Sequence, residues 1–123
     1  MDQSTISSVS ENYILSVKMA RSPHTARTYQ NAMDFYLETL RKNSINPEKT
    51  PIASLSENTI TLLSTALKNH AATTERLYLT AVTGFFSYLA AENLTQVNLP
   101  RIKLLIQQRS EEHTSELQSH LNL

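Results

Sequence analysis

Arg76, Thr80, Thr83 and Ser87 recur at intervals of four, three and four residues, the spacing that gathers side chains onto one stripe of an α-helix. Hydroxyls and a guanidinium in a row are hydrogen-bond donors suited to an extended array of oxygen acceptors such as phosphates. Gly84 stands beside the stripe, where a missing side chain lets another backbone approach. A second group, His24, Thr25, Arg27, Thr28, Gln30 and Asn31, follows Ser22 and Pro23. Serine before proline reads as a helix start, because proline is favoured in the first turn and the serine oxygen accepts from backbone N–H groups. The open N–H groups and the dipole of such a turn favour an anion, and Gln and Asn amides also match the edge of adenine. Both groups have a plainer reading as well. Capping alone accounts for Ser22, Pro23 and Thr25, and a polar stripe at helical spacing is also the ordinary solvent side of an amphipathic helix.

Other chemistries find no support. Neither His24 nor His70 has a His, Cys or carboxylate at ligand spacing, so no metal site is expected. Tyr13, Tyr29, Tyr36, Tyr78 and Tyr88 fall mostly on apolar stripes and read as core, with no base beside them. Paired carboxylates, a glycine-rich phosphate loop and a Ser/His/Asp order are missing, so the residues offer no catalytic apparatus and imply no cofactor. What remains is a binding surface.

The elements that must carry this surface are helical. With one glycine and four prolines in 123 residues, and long runs of Ala, Leu, Glu, Thr and Lys, the chain reads as all-α, one domain with a single modest core. A first helix is expected from about Ser10, as cap, to Met19, with Tyr13, Ile14, Val17 and Met19 inward. A second runs from Ser22 or Pro23 to about Lys42, with Ala26, Tyr29, Met33, Tyr36, Leu37 and Leu40 at i, i+3, i+4, i+7 spacing. Asn43 to Ser54 reads as a loop, since it holds two prolines and no periodicity. A third helix is expected from Ser56 or Glu57 to Lys68 or Asn69, carrying Ile60, Leu63, Ala66 and Leu67. The fourth, Thr74 to about Glu92, is apolar over so wide an arc (Leu77, Tyr78, Val82, Phe85, Phe86, Leu89, Ala90) that it belongs at the centre of a bundle. Residues 1–9 read as a flexible N-terminus and 10–100 as the domain. LTQVNLP reads as an extended exit, and 101–108, RIKLLIQQ, as the start of a linker with nothing left to pack it.

Formal charge is zero, which counts mildly against a nucleic-acid partner, but the distribution is uneven. Between Glu11 and Asp34 the only charged residues are Lys18, Arg21 and Arg27, so one end of the molecule is expected to be basic. The last stretch, 109–123, differs from the rest in being polar and lacking periodicity. Its string RSEEHTSELQSH resembles the in-frame translation of a common synthetic sequencing adapter, which sets it aside as an artefactual tail. Without it ten basic and eight acidic residues remain, a net of +2. There is no cysteine, no apolar run near the roughly 20 residues that span a bilayer, and no apolar signal core, so a cytoplasmic protein without a membrane partner is expected.

SPHTARTYQNAMDFYLETL resembles the T-x-x-x-Y-x-x-x-L-x-x-F-x-x-x-L helix of the tyrosine recombinase, or phage integrase, core-binding domain, with Thr25, Tyr29, Met33, Tyr36 and Leu40 at matching positions. YLTAVTGFFSYLAAENLTQVNLP is similar to the closing helix of that domain, L-S-A-L-R-x-F-F-x-Y-L followed by N-P, through Leu79, Thr80, Ala81, Val82, Phe85, Phe86, Tyr88 and Leu89. Two departures stand out: Thr83 replaces a frequent arginine, and Leu99 splits Asn98 from Pro100. The resemblance implies a compact four-helix, SAM-like bundle that binds double-stranded DNA, its second and fourth helices across the major groove. It assigns His24, Thr25, Arg27 and Gln30 on one helix and Arg76, Thr80 and Thr83 on the other to that contact. It implies that the catalytic Arg, Lys, His and Tyr lie in a missing C-terminal domain, and that other protomers sit on the same DNA. A helical-bundle protein-interaction module without DNA binding is the alternative. A helix-turn-helix regulator is a third reading, against which stands the lack of a short turn between two perpendicular helices.

Overall fold

The computed structural model describes residues 4–107. Its elements are α1 (Ile6–Ala20), α2 (Pro23–Lys42), a 3₁₀ turn (Ile52–Ser54), α3 (Thr59–Ala66), α4 (Ala72–Ala91) and a further helical segment, α5, over 99–107. No strand occurs among the described residues beyond an isolated bridge between Thr5 and Pro51. The all-α expectation holds, with one helix more than the sequence led us to expect.

α1 begins earlier than expected. Thr5, not Ser10, is its cap: the Thr5 hydroxyl accepts from the Ser8 N–H and the Ser8 hydroxyl accepts from the Thr5 N–H, both at 3.2 Å, while Ser10 is buried. The N–H groups of Ile6 and Ser7, which have no partner inside a helix, donate to the Thr50 and Pro47 carbonyls at 3.0 and 2.9 Å. Ile52 N–H closes the pairing on the Ser4 carbonyl at 2.8 Å. The expectation of a flexible 1–9 segment is therefore corrected for residues 4–9. They are ordered because the proline-containing loop supplies the carbonyls that the start of α1 needs, a relation between distant segments that no local pattern reveals.

α2 follows the expectation closely. Ser22 is the N-cap, accepting from the Thr25 N–H at 3.2 Å, and Pro23 opens the helix. At its far end Ser44 takes a left-handed backbone (φ 67°), and Arg41 binds Glu38 and Glu48 together, holding the Glu48 carboxyl below its ordinary range. The core centres on Tyr36, Met33 and Leu40 of α2, Ile60 and Leu63 of α3, and Phe85, Phe86 and Leu89 of α4, all fully buried. Each such side chain contributes about 1.5–3 kcal/mol by leaving water. Inside it, the Thr59 hydroxyl donates to the Ser56 carbonyl at 2.8 Å, so the 2.6 Å contact with Tyr36 has the phenol donating. Three apolar expectations fail: Met19 is 89% exposed, Leu77 45% exposed, and Ala66 is exposed as well, because each lies outside the inward arc of its helix.

Residues 101–108 do not begin an unpacked linker, at least as far as residue 107. Leu99, Ile102, Leu105 and Ile106 share one face of α5; Ile102 is fully buried and the others pack against the core. The Asn98 side chain caps this helix by accepting from the Arg101 N–H at 3.0 Å, and Pro100 stands in its first turn, which accounts for the split Asn98–Leu99–Pro100. Arg101 also reaches Glu57 ahead of α3 at 3.3 Å. The adapter-like tail, 109–123, lies outside the described residues.

Candidate nucleic-acid interface

The first turns of α2 sort the expected residues into two kinds. His24, Arg27 and Asn31 are exposed on one stripe. Thr25 and Thr28 are half-buried and already bonded: the Ser22 hydroxyl donates to Thr25 Oγ1 at 3.1 Å, and the Thr28 hydroxyl donates to the His24 carbonyl at 3.2 Å. Gln30 is half-buried on the flank, its Nε2 donating to Asp34 Oδ1 at 3.0 Å. The question of capping against binding thus divides by residue. Ser22, Pro23 and Thr25 build the helix start, while His24, Arg27 and Asn31 are presented outward.

On α4, Arg76, Thr80 and Ser87 are exposed on one stripe, as their spacing requires. Thr83 departs from it. Its side-chain oxygen is covered and has no hydrogen-bond partner among the described residues, so it presents no donor to the surface. Gly84 is also corrected: the close approach it permits is internal. A side-chain carbon there would stand 2.5 Å from the Tyr13 hydroxyl, which donates instead to the Ala81 carbonyl at 2.7 Å. Burial pushes the ionisation of this phenol well above its ordinary value, an effect that Tyr29 reinforces and Arg21 opposes.

α2 and α4 meet through their buried faces, with the Tyr36 ring against Phe85 and Phe86 at 6.4 and 6.5 Å and Phe35 edge-on to Tyr78 at 5.6 Å. His70 is accounted for in the same cluster, edge-on to Phe35 at 5.4 Å. Each helix gathers its own polar group. Among the described residues no hydrogen bond or ring contact joins the α2 group to the α4 group.

Electrostatics favour an anion at the start of α2 and not at its end. The ion pairs among the described residues involve Arg41 and Arg101, which leaves Arg27 and Arg76 unpaired. Asp34 and Glu38 follow Arg27 and Asn31 on the same exposed stripe, confining the basic surface to the first two turns. A groove of about 430 Å3 runs between the end of α1 and this start, lined by Lys18, Pro23, Ala26, Arg27 and Gln30. Arg21 stands 5.9 Å over the Tyr29 ring beside it. Lys18 and Arg21 were visible in the sequence as part of the acid-free stretch after Glu11. The convergence of Lys18 with Arg27 needed the turn at 21–22. No cluster of three or more His, Cys, Asp or Glu residues occurs among the described residues, and none of their helices is long and apolar enough to cross a membrane.

The order of these helices, and the two motifs that α2 and α4 carry, meet in one comparison: the family model of the phage integrase N-terminal SAM-like domain matches residues 11–93. The chain belongs to that family. This integrase SAM-like domain, the core-binding domain of a tyrosine recombinase, extends from the second turn of α1 to just past α4. α5 lies beyond the matched residues yet packs into the same core. No curated protein and no solved structure matches the chain.

Proposed function

We propose that this SAM-like domain grips the recombination site of a tyrosine recombinase by contacting double-stranded DNA, while cutting and rejoining of strands fall to a separate catalytic domain. The family membership over residues 11–93 carries the reading. The exposed, unpaired Arg27 and Arg76 on the polar stripes of α2 and α4 are consistent with it. In this reading Arg27, Arg76 and the Thr80 and Ser87 hydroxyls bind phosphates. Phosphate contacts hold position without reading sequence, so base selection falls to His24, Gln30 and Asn31. Thr25 and Thr28 act indirectly, by fixing the helix start. Thr83 contributes a surface donor only if its side chain turns on binding.

The two stripes reach one duplex if α2 and α4 cross so that both flanks face it. Binding of the purified chain to duplex DNA, measured across a salt series with Arg27→Gln, Arg76→Gln and the double variant, tests this. Weakened binding in both single variants, adding in the double, supports a common duplex. Unchanged binding in all three overturns the reading.

A further inference from the structure

Gln30 sits where helix and groove meet, half-buried and lining the groove with Lys18 and Arg27. Its amide orientation is not free. The partner of Nε2, at 3.0 Å, is the carboxylate of Asp34, which only accepts, so a flipped amide would set its carbonyl oxygen against a negative charge. The nitrogen carries two hydrogens, and giving one to Asp34 leaves the other. No described residue bonds to that hydrogen or to Oε1. An N–H beside a C=O on one planar group is the pair that reads adenine in a major groove, with the oxygen accepting from N6–H and the nitrogen donating to N7.

We propose that Asp34 is a positioning residue that pre-sets the Gln30 amide to read adenine, an inference that rests on the DNA-binding role above and adds a specificity device to it. In the sequence Gln30 stands among the candidate contacts, while Asp34 only closes the acid-free stretch after Glu11. Asp34 then has two effects of opposite sign. Its charge, two turns beyond Arg27 on the exposed side of α2, repels phosphates and weakens binding to every sequence. Its acceptor oxygen holds the amide and sharpens choice at one base pair. Holding a rotamer in advance removes an ordering cost that would otherwise fall on the specific complex.

The opposite signs make the idea testable by selecting the purified chain against a pool of random-sequence duplexes, and measuring affinity for the selected and substituted duplexes. Wild type is expected to prefer adenine at one position by about tenfold, the scale of one bidentate contact, and Gln30→Ala to lose that preference. Asp34→Ala should bind all duplexes more tightly but with a preference at that position reduced toward that of Gln30→Ala. Asp34→Glu, which keeps a carboxylate that only accepts and keeps the charge, should retain both the wild-type affinity and the preference. Thermal unfolding at the wild-type temperature establishes that each surface variant is folded. A preference undiminished in Asp34→Ala, or one lost in Asp34→Glu, overturns the positioning role. Sequence-blind duplex binding by wild type overturns Gln30 readout and leaves the DNA-binding reading standing. No duplex binding at all overturns both.

Discussion

The hydroxyl of Tyr13 occupies the space that a side chain at Gly84 would need, and from there it donates to the Ala81 carbonyl at 2.7 Å. α1 is thereby keyed to the flank of α4, beside the Arg76, Thr80 and Ser87 stripe. Gly84→Ala should destabilise the domain by about 1–3 kcal/mol, because the new methyl displaces the phenol and breaks its bond. In a Tyr13→Phe background the nearest remaining ring atom is 3.6 Å away, an ordinary contact. There the same change should be neutral or stabilising by up to about 1 kcal/mol, the helix-propensity gain of alanine over glycine. Urea unfolding of the two single variants and the double gives the cycle, and equal Gly84→Ala costs in both backgrounds would refute the interlock.

Burial pushes the ionisation of both Tyr13 and Tyr36 above the ordinary 10.0. The raised folded-state value sets the sign. Below pH 10 the phenols are protonated in both folded and unfolded chains, and their contribution to stability is fully present. Above it the unfolded chain loses these protons first, so stability should fall as pH rises, by up to about 1.4 kcal/mol per pH unit for each tyrosine. Tyr36→Phe should lower stability near neutrality yet flatten the alkaline decline, as read from unfolding free energies at a series of pH values.

Ile102 is fully buried although it lies beyond the stretch that the family model matches. Ile102→Ala should cost about 2–5 kcal/mol, the range for emptying a core aliphatic site. Leu104, two residues on and 52% exposed, is the control, and Leu104→Ala should change stability by less than about 0.5 kcal/mol. Similar melting temperatures for the two variants would show that α5 does not belong to the cooperative unit.

For DNA binding, each unpaired arginine that contacts a phosphate adds to the number of counterions released. Arg27→Gln and Arg76→Gln should each lower the slope of log affinity against log salt by about one, with no change in base preference. A filter-binding or anisotropy series at several salt concentrations reads this directly. A slope change in only one variant would confine the contact to that helix.

Thr83 gives a prediction of the opposite kind from its neighbour Thr80. Its covered, unpartnered hydroxyl is a liability that valine removes at nearly constant shape, so Thr83→Val should stabilise the domain by about 1 kcal/mol and leave duplex affinity unchanged. Thr80→Val, on the exposed stripe, should leave stability within about 0.5 kcal/mol of wild type and weaken binding. A loss of affinity in Thr83→Val would mean that the side chain turns outward on the duplex.

Periodicity made the helices and most of the core legible because the spacing of apolar residues states which face of a helix avoids water. Tyr36, Met33, Leu40, Phe85, Phe86 and Leu89 were all readable in this way, and so was the helix start at Ser22–Pro23, whose capping chemistry is complete within four residues. The same local rule carried His24, Arg27, Asn31, Arg76, Thr80 and Ser87 to exposed stripes. Where a position depended on a partner far along the chain, spacing had nothing to read. The start of α1 waits on the Thr50 and Pro47 carbonyls, Gly84 on the Tyr13 phenol, Thr83 on whatever covers its hydroxyl, and α5 on the core that accepts Ile102. An amphipathic pattern specifies that a face is buried without specifying against what. The amino-acid order therefore determined the helices and the character of their faces, and only packing between segments distant in the chain decided which small or polar residues look inward and which stay in reach of a partner.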